Sequence, residues 1–237
     1  MENKGCIYYT DNQINGPIIE IAKRYIRASG LPIVSCSLKP VDIGKNIVLK
    51  GRVRGYLTMI LQILTALEAS TAKYVFFCEH DVLYHKSHFD FIPPKDNVYY
   101  YNVNNWRWNY PKNRAISYDK LTSLSGLCVN REFAIKHYKK RLELIRKKGW
   151  DKDKSKDPIW ARKMGHEPGV KSKRQSSFKD NDYEIRKSKY PNIDIRHNKT
   201  YSPPKVTLES FKHKPNSWRE TTLDNINGWN LKELFNL

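Results

Sequence analysis

The sequence lacks several features that define common protein classes. No basic N-terminal segment leads into a long apolar run, so we expect neither secretion nor signal cleavage. The longest apolar stretch, residues 56–69, contains Thr, Gln and Glu and is too short to cross a bilayer. The absence of Gly-x-Gly-x-x-Gly and of a Gly-Lys-Ser/Thr loop argues against a dinucleotide oxidoreductase and a P-loop enzyme. The sequence shows no internal repeat.

Cysteine is also scarce. The chain has four cysteines, far apart and each in an apolar, strand-like setting, namely Cys6, Cys36, Cys78 and Cys128. This pattern predicts reduced core thiols rather than a disulfide framework, and it provides no cysteine pair for a zinc finger. We therefore expect a cytoplasmic protein.

Positive charge is abundant. The 43 Lys and Arg residues exceed the 24 Asp and Glu residues by 19, and the sequence pI is about 9.7. Such a bias attracts polyanions, which makes nucleic acid, an anionic membrane and phosphorylated substrates candidate partners. A lysine-rich surface that only improves solvation remains the alternative.

Strand-like and helical segments alternate over the first eighty residues. Strands are predicted at residues 5–10, 32–38 and 73–78, and a helix is predicted to begin at Pro17. A second helix is indicated by five aliphatic side chains at helical spacing, namely Leu57, Ile60, Leu61, Leu64 and Leu67. This order is typical of a doubly wound α/β domain, whose ligands bind beyond the carboxyl ends of the strands.

We therefore predict an α/β fold with a mixed, mainly parallel sheet flanked by helices over residues 1–170. Further elements expected there are an aromatic strand-like segment at 98–110, a short strand at 124–129, a basic helix at 131–148 and a short helix beginning at Asp157-Pro158. Residues 171–190 are polar and charged, which predicts a basic mobile loop. Residues 191–237, with a strand at 192–197, are predicted to form a C-terminal extension that completes the site.

The third strand ends in Glu79-His80-Asp81. Because a buried strand delivers these side chains to the edge of the sheet, their oxygens are candidate ligands for Mg²⁺ or Mn²⁺. Acidic residues after a strand are also common turn formers, so the triplet alone leaves both interpretations open.

Three segments resemble GT-A glycosyltransferases, in the order expected for that family. Residues 73–84 are similar to the strand and Asp-x-Asp motif, with Glu79 replacing the first Asp and Asp81 at the second position. The segment with Ser125 and Gly126 resembles the acceptor-side turn. Residues 157–165 resemble the acidic residue and short helix in which inverting members keep their catalytic base. The resemblance covers roughly residues 5–166.

The resemblance implies a nucleotide-diphosphate sugar as donor and Mn²⁺ or Mg²⁺ as metal. It implies Asp81 as a metal ligand and a histidine from the C-terminal part of the chain as another. His197 is the preferred candidate for this histidine, and His166 is the second. It implies Asp157 as general base, although Asp before Pro is also a common helix N-cap pair, and Glu167 is the reserve base. The side chains assigned to the donor are Tyr9, Thr10, Asp11, Arg52, Arg54, Glu79 and His80.

The acceptor side is less specific. Residues 99–110 are rich in tyrosine and tryptophan with an interleaved arginine, a combination that stacks on sugar rings or bases and contacts phosphates. The candidate acceptor-binding residues are Trp106, Arg107, Trp108, Ser125 and Gly126. A hydroxymethylated base in DNA, flipped out of its duplex, is one candidate acceptor, by resemblance to virus-encoded DNA glycosyltransferases. A viral member of this kind is expected in the host cytoplasm. A surface glycan or lipid-linked saccharide beside an anionic membrane is another.

Two other functions use the same features. A metal-dependent nuclease would use Glu79 and Asp81 with nearby lysines. A non-catalytic nucleic-acid binder would show salt-dependent binding that is indifferent to divalent metal and nucleotide sugar.

Overall fold

Two β-sheets organise the computed structural model, which describes residues 3–150, 158–170, 183–200 and 205–236. The strands are β1 (Lys4–Thr10), β2 (Ile33–Ser37), β3 (Lys45–Val48), β4 (Tyr74–Glu79), β5 (Val82–Leu83), β6 (Tyr99–Asn102), β7 (Asn105–Asn109), β8 (Ala115–Ser117), β9 (Leu127–Asn130), β10 (Tyr183–Arg186), β11 (Asn192–Arg196) and β12 (Arg219–Thr221). The helices are α1 (Pro17–Arg27), α2 (Tyr56–Ala69), α3 (Arg131–Lys147), α4 (Ile159–Lys163) and α5 (Leu231–Phe235).

The larger sheet has the strand order β10-β6-β9-β4-β1-β2-β3. Strands β3, β2, β1 and β4 run parallel, β9 is antiparallel between β4 and β6, and β10 is parallel to β6. The fold class predicted from the sequence, a mixed and mainly parallel sheet flanked by helices, is therefore confirmed.

Both faces of this sheet are buried, as parallel sheets require. In β1, Ile7 and Tyr9 belong to the core cluster that includes α2 and α3, whereas Cys6 and Tyr8 belong to a second cluster on the opposite face. Because α2 packs against β1, β2 and α3, it is apolar around most of its circumference. The four predicted core thiols are buried and free.

The smaller sheet has the order β12-β8-β7-β11-β5. The chain passes from the larger sheet into the smaller one between β4 and β5, between β6 and β7, and between β10 and β11. In the last crossing, the backbone N–H of Ile195 in β11 donates a hydrogen bond of 2.9 Å to the carbonyl oxygen of Asp81. This bond fixes the end of β11 beside the end of β4.

Several sequence predictions need correction. The aromatic segment 98–110 is two strands, β6 and β7, in different sheets, because the chain crosses over at residues 103–104. The loop predicted over 171–190 is wrong at Tyr183–Arg186, which pairs in parallel with β6. The rest of that loop up to residue 182, and Asp157, lie outside the described residues. None of the described helices has the length and apolar character needed to span a bilayer.

Candidate metal centre

The end of β4 delivers three polar side chains to the carboxyl edge of the larger sheet. Residues 74–78 are buried between β1 and β9, so Glu79 is the first residue of the strand to reach the opening. One carboxylate oxygen of Glu79 accepts a 2.6 Å hydrogen bond from the Tyr9 hydroxyl of β1. The chain then turns through His80 and Asp81 into β5 of the smaller sheet.

Asp11, directly after β1, joins this edge to the start of α2. Its Oδ2 lies 2.7 Å from Nε of Arg54, and its Oδ1 lies 4.0 Å from Nε2 of His80. The Arg54 guanidinium also donates a 2.9 Å hydrogen bond to the carbonyl oxygen of Lys199. Arg54 therefore connects the end of β1 with the segment that follows β11.

His80, Asp81 and His197 form a candidate metal-binding cluster. One ligand atom from each lies within 4.8 Å of the others. Nε2 of His197 lies 3.4 Å from Oδ2 of Asp81, and it is buried without a hydrogen-bond partner among the described residues. A carboxylate beside two imidazoles is a ligand set that fits a divalent cation.

The two carboxyl groups of the triplet differ in electrostatics. Burial, followed by the nearby charge of Asp81, raises the pKa of Glu79 to about 8. Burial alone would also raise the pKa of Asp81, but the neighbouring His80, His197 and Arg196 outweigh it and hold that pKa below its usual value. Asp81 is thus the carboxylate held in its charged form, the form that binds a cation.

Two residues of the cluster, His80 and Asp81, line a cavity of ≈ 210 Å³, whereas His197 lines a second pocket. The wall combines the ends of β1 and β4, the start of α2, β7, β11, the segment before β9 and the segment after α4. The predicted site residues that line this cavity are Tyr9, Thr10, Asp11, Arg54, Glu79, His80, Asp81, Arg107, Ser125, His166 and Glu167. Side chains predicted from separate parts of the sequence therefore meet at one place.

No protein-family model matches this sequence, and no curated protein sequence matches it at a significant level. The fold is similar to parts of several solved structures. The bifunctional IspDF from Campylobacter jejuni aligns over 80% of this chain and 50% of its own, with 10% identity and a TM-score of 0.42. The apo-form glycosyltransferase GlyE of Streptococcus pneumoniae TIGR4 aligns over 65% of this chain and 40% of its own, with 10% identity and a TM-score of 0.39.

A mutant of Drosophila β1,4-galactosyltransferase 7, in complex with manganese, UDP-Gal and xylobiose, aligns over 75% of this chain and 81% of its own. Its identity to this chain is 11% and the TM-score is 0.36. Two of these three neighbours are glycosyltransferases, and the chain spans half or less of the length of IspDF and of GlyE.

The positions of the histidines in the structure differ from the roles that the sequence predicted for them. His80, assigned to the donor, lies with the candidate metal ligands. His166, the second choice as ligand, lines the cavity but is absent from the cluster, and its ring packs 5.3 Å from the ring of Tyr56. His197, the first choice, lies in the cluster.

Some predicted residues lie away from the cavity wall. Trp108 is completely buried in the core of the smaller sheet, where its indole N–H donates to the carbonyl oxygen of Lys112 at 2.8 Å. The acceptor role predicted for Trp108 is therefore wrong, because a buried ring cannot contact an acceptor. Trp106 and Arg52 are described but do not line the cavity.

Gly126 does not line the cavity either. The sequence predicted a small residue here so that substrate could approach the backbone, but the structure gives a different reason for the glycine. A Cβ at this position would lie 2.7 Å from the carbonyl oxygen of Asn102. Glycine is needed here because β6 passes close behind it.

Sequence reasoning missed the polar residues that β11 contributes. Asp194 and Arg196 line the cavity, and Oδ2 of Asp194 lies 3.3 Å from Nε of Arg107. The alternation in Asn-Ile-Asp-Ile-Arg contained the signal, since Ile193 and Ile195 are buried in the core and the intervening side chains face the other way. Thr58 and Gln62 of α2 and Thr122 and Ser123 of the 118–126 segment were also missed.

Proposed function

We propose that this chain is a metal-dependent glycosyltransferase that moves a sugar from a nucleotide-diphosphate sugar to an acceptor hydroxyl. The single observation that supports this most is the His80-Asp81-His197 cluster at the exit of β4, of which His80 and Asp81 line a cavity that also contains Arg54. A bound divalent cation at that cluster would neutralise the diphosphate that leaves the sugar.

The ligand set favours Mn²⁺ over Mg²⁺. Mg²⁺ is bound by oxygen ligands in near-ideal octahedral geometry, whereas two of the three side chains here offer imidazole nitrogen. Mn²⁺ accepts carboxylate oxygen and also binds imidazole, so we expect it to support the stronger response.

We propose that the diphosphate binds at the start of α2. Arg54, the cap residue Gly55 and Thr58 line the cavity. Backbone N–H groups at a helix N-terminus, together with a guanidinium, bind phosphate oxygens well. Tyr9, Thr10, Asp11 and Glu79 form the neighbouring wall and are the other proposed donor contacts.

Glu167 is the base that we assign among the described residues. It lines the cavity beside His166, where it can accept the proton of an acceptor hydroxyl. Asp157, the first choice from the sequence with Glu167 in reserve, lies outside the described residues and stays a prediction. Arg107 and Ser125 line the same cavity and are the proposed acceptor contacts.

The acceptor that we propose is a hydroxyl on a base in DNA, supported by the net charge of +19. A surface glycan or a lipid-linked saccharide is the competing acceptor. A nuclease using the same metal centre is the rival from another class, and it requires strand cleavage that is independent of any nucleotide sugar.

A thermal-shift screen of nucleotide-diphosphate sugars, with and without Mn²⁺, tests the proposal. A ligand that binds only the folded chain raises the unfolding midpoint by mass action. We expect one donor class to raise the midpoint in a Mn²⁺-dependent way and Asp81→Asn to remove that response. The matched control is Asp42→Asn, an exposed carboxylate paired with Arg27.

The proposal fails if no nucleotide-diphosphate sugar shifts the midpoint with Mn²⁺, or if Asp81→Asn responds like the control. Labelled donor then separates the two enzyme classes, because hydrolysis or transfer of the sugar without strand cleavage supports the transferase. Metal-dependent cleavage of DNA in the absence of donor would support the nuclease instead.

A further inference from the structure

Three aromatic side chains meet at one end of the smaller sheet, and we call them the aromatic shelf: Tyr118, Phe211 and Trp218. The antiparallel pairing of β8 with β12 sets Ser117 opposite Arg219. The next pair along the same register is Tyr118 with Trp218, whose ring planes lie 4° apart with centroids separated by 6.2 Å. Phe211 contacts both edge-on, at 5.4 Å from Tyr118 and 5.8 Å from Trp218.

All three rings of the shelf are partly exposed. The segment that carries Phe211 and Trp218 is attached to Asp119, whose backbone N–H donates to the carbonyl oxygen of Asn216 and whose carboxylate accepts from the Ser217 hydroxyl at 2.6 Å. The indole N–H of Trp218 donates to Oε1 of Glu220 at 2.7 Å. These bonds hold the rings in place before any ligand arrives, which lowers the entropic cost of binding.

The shelf is continuous with the cavity through Arg107. This side chain lines the cavity, donates a 2.8 Å hydrogen bond to the Tyr118 hydroxyl and holds its guanidinium carbon 5.5 Å from the centroid of the Tyr118 ring. Tyr118 also lies only four residues before Thr122, another residue of the wall. A polymer whose end reaches into the cavity next to Arg107 can therefore extend over the shelf.

The surroundings of the shelf are basic. Residues 112–120 and 205–220, which build it, contain seven Lys and Arg against three Asp and Glu. Two of those three acids already accept hydrogen bonds: Asp119 accepts from Ser217, and Glu220 accepts from Arg114 and Trp218. Nζ of Lys205 lies 5.3 Å from the centroid of the Phe211 ring. Cations beside the rings disfavour a cationic ligand and favour an anionic one.

Flat rings flanked by Lys and Arg are the combination that binds single-stranded nucleic acid, since bases stack on the aromatics and phosphates contact the cations. We propose that the aromatic shelf is a binding site for single-stranded nucleic acid, which it presents to the cavity through Arg107. Delivery of an acceptor base rests on the proposed transferase function, but binding at the shelf requires neither the metal nor the donor.

The test is fluorescence anisotropy of a labelled oligo-dT with the full chain, in EDTA and without nucleotide sugar. Trp218→Ala keeps the net charge and removes one stacking surface, so we expect the dissociation constant to rise about tenfold. Trp218→Phe keeps a ring and is expected to retain most of the affinity. The matched control is Tyr25→Ala near the end of α1, a partly exposed ring that also has an arginine guanidinium beside it, at 5.6 Å.

Unchanged oligonucleotide affinity in Trp218→Ala would overturn the proposal, because the binding would then depend on charge alone. A sulfated oligosaccharide whose binding requires Trp218, with no binding of oligo-dT, would identify an anionic saccharide site and overturn it as well. Since the assay contains neither metal nor donor, this result is independent of the Mn²⁺-dependent thermal shift that tests the transferase. Unfolding midpoints of all four proteins show whether each variant is folded.

Discussion

Nε2 of His197 lies 3.4 Å from Oδ2 of Asp81, although one residue follows β11 in the C-terminal part of the chain and the other follows β4. The hydrogen bond from Ile195 to the Asp81 carbonyl holds the two strand ends together. The candidate metal centre is thus built where the chain crosses between its two sheets.

Replacing His197 by Ala should weaken Mn²⁺ binding at least about tenfold, because the loss of an outer-shell partner alone often costs that much. His80→Ala should have a comparable effect, since it also offers one ligand atom to the cluster. The concentration of Mn²⁺ that gives half of the thermal shift measures this. His213→Ala, at an exposed histidine, is the control. Wild-type Mn²⁺ affinity in His197→Ala would remove that residue from the site.

Arg54 and Arg52 should differ in their contribution to donor binding, although the sequence predicts that both contact the donor. Arg54 lines the cavity and Arg52 does not. A charge-assisted hydrogen bond contributes roughly 1.5–3 kcal/mol, so Arg54→Ala should weaken donor binding by about tenfold or more. Arg52→Ala should bind the donor like the wild type. The measurement is a donor titration at saturating Mn²⁺, and equal affinities for the two variants would contradict the assignment.

Trp108 and Trp106, two residues apart in β7, should contribute differently to the stability of the fold. Trp108 is fully buried, so Trp108→Ala should cost about 3–5 kcal/mol in the free energy of unfolding. Trp106 is only partly buried, so Trp106→Ala should cost clearly less. Urea unfolding monitored by circular dichroism compares them. A Trp108→Ala variant as stable as the wild type would mean that the ring is not in the core.

The contribution of two buried histidines to stability should fall as the pH drops below about 6.5, the usual pKa of histidine, whereas Glu79, whose pKa is raised to about 8, contributes in the opposite sense over the same range. Burial, followed by the charge of Arg186, holds the pKa of His88 well below 6.5, and burial, followed by Arg141 and Lys140, does the same for His137. The unfolded chain therefore binds protons that the folded chain does not. Each such histidine should lower the free energy of unfolding by at most ~1.4 kcal/mol per unit of pH below that value.

The hydrogen bonds agree with rings that stay neutral. Nδ1 of His88 has the side-chain amides of Asn102 and Asn192 at 3.0 Å, and Nε2 of His137 accepts from Arg141 at 2.6 Å. Urea unfolding at pH 7.5 and pH 5.5 measures the loss. Compared with the wild type, His88→Gln should lose less stability between pH 7.5 and pH 5.5, and exposed His213→Gln should behave like the wild type. The same change in His88→Gln as in the wild type would refute the prediction.

The first half of the fold was predictable because its periodicities are strong. The alternation and helical spacing over residues 5–78 anticipated β1, α1, β2, α2 and β4 within a few residues of their bounds. The short strands β3, β5, β8 and β12 were missed, since two to four residues carry too little pattern. Strand β10 was missed because it lies in a charged segment and owes its conformation to pairing with β6.

The candidate site was also only partly predictable from the sequence. The sequence alone determined that Asp11 and Glu79-His80-Asp81 follow strands, and that parallel strands bring such residues to one edge, because local periodicity is set by residues a few positions apart. Only the tertiary structure decided that His80 joins His197 beside Asp81, that Asp194 and Arg196 reach the cavity, and that Trp108 is core. Those outcomes depend on hydrogen bonds and packing between segments far apart in the chain, which no local pattern encodes.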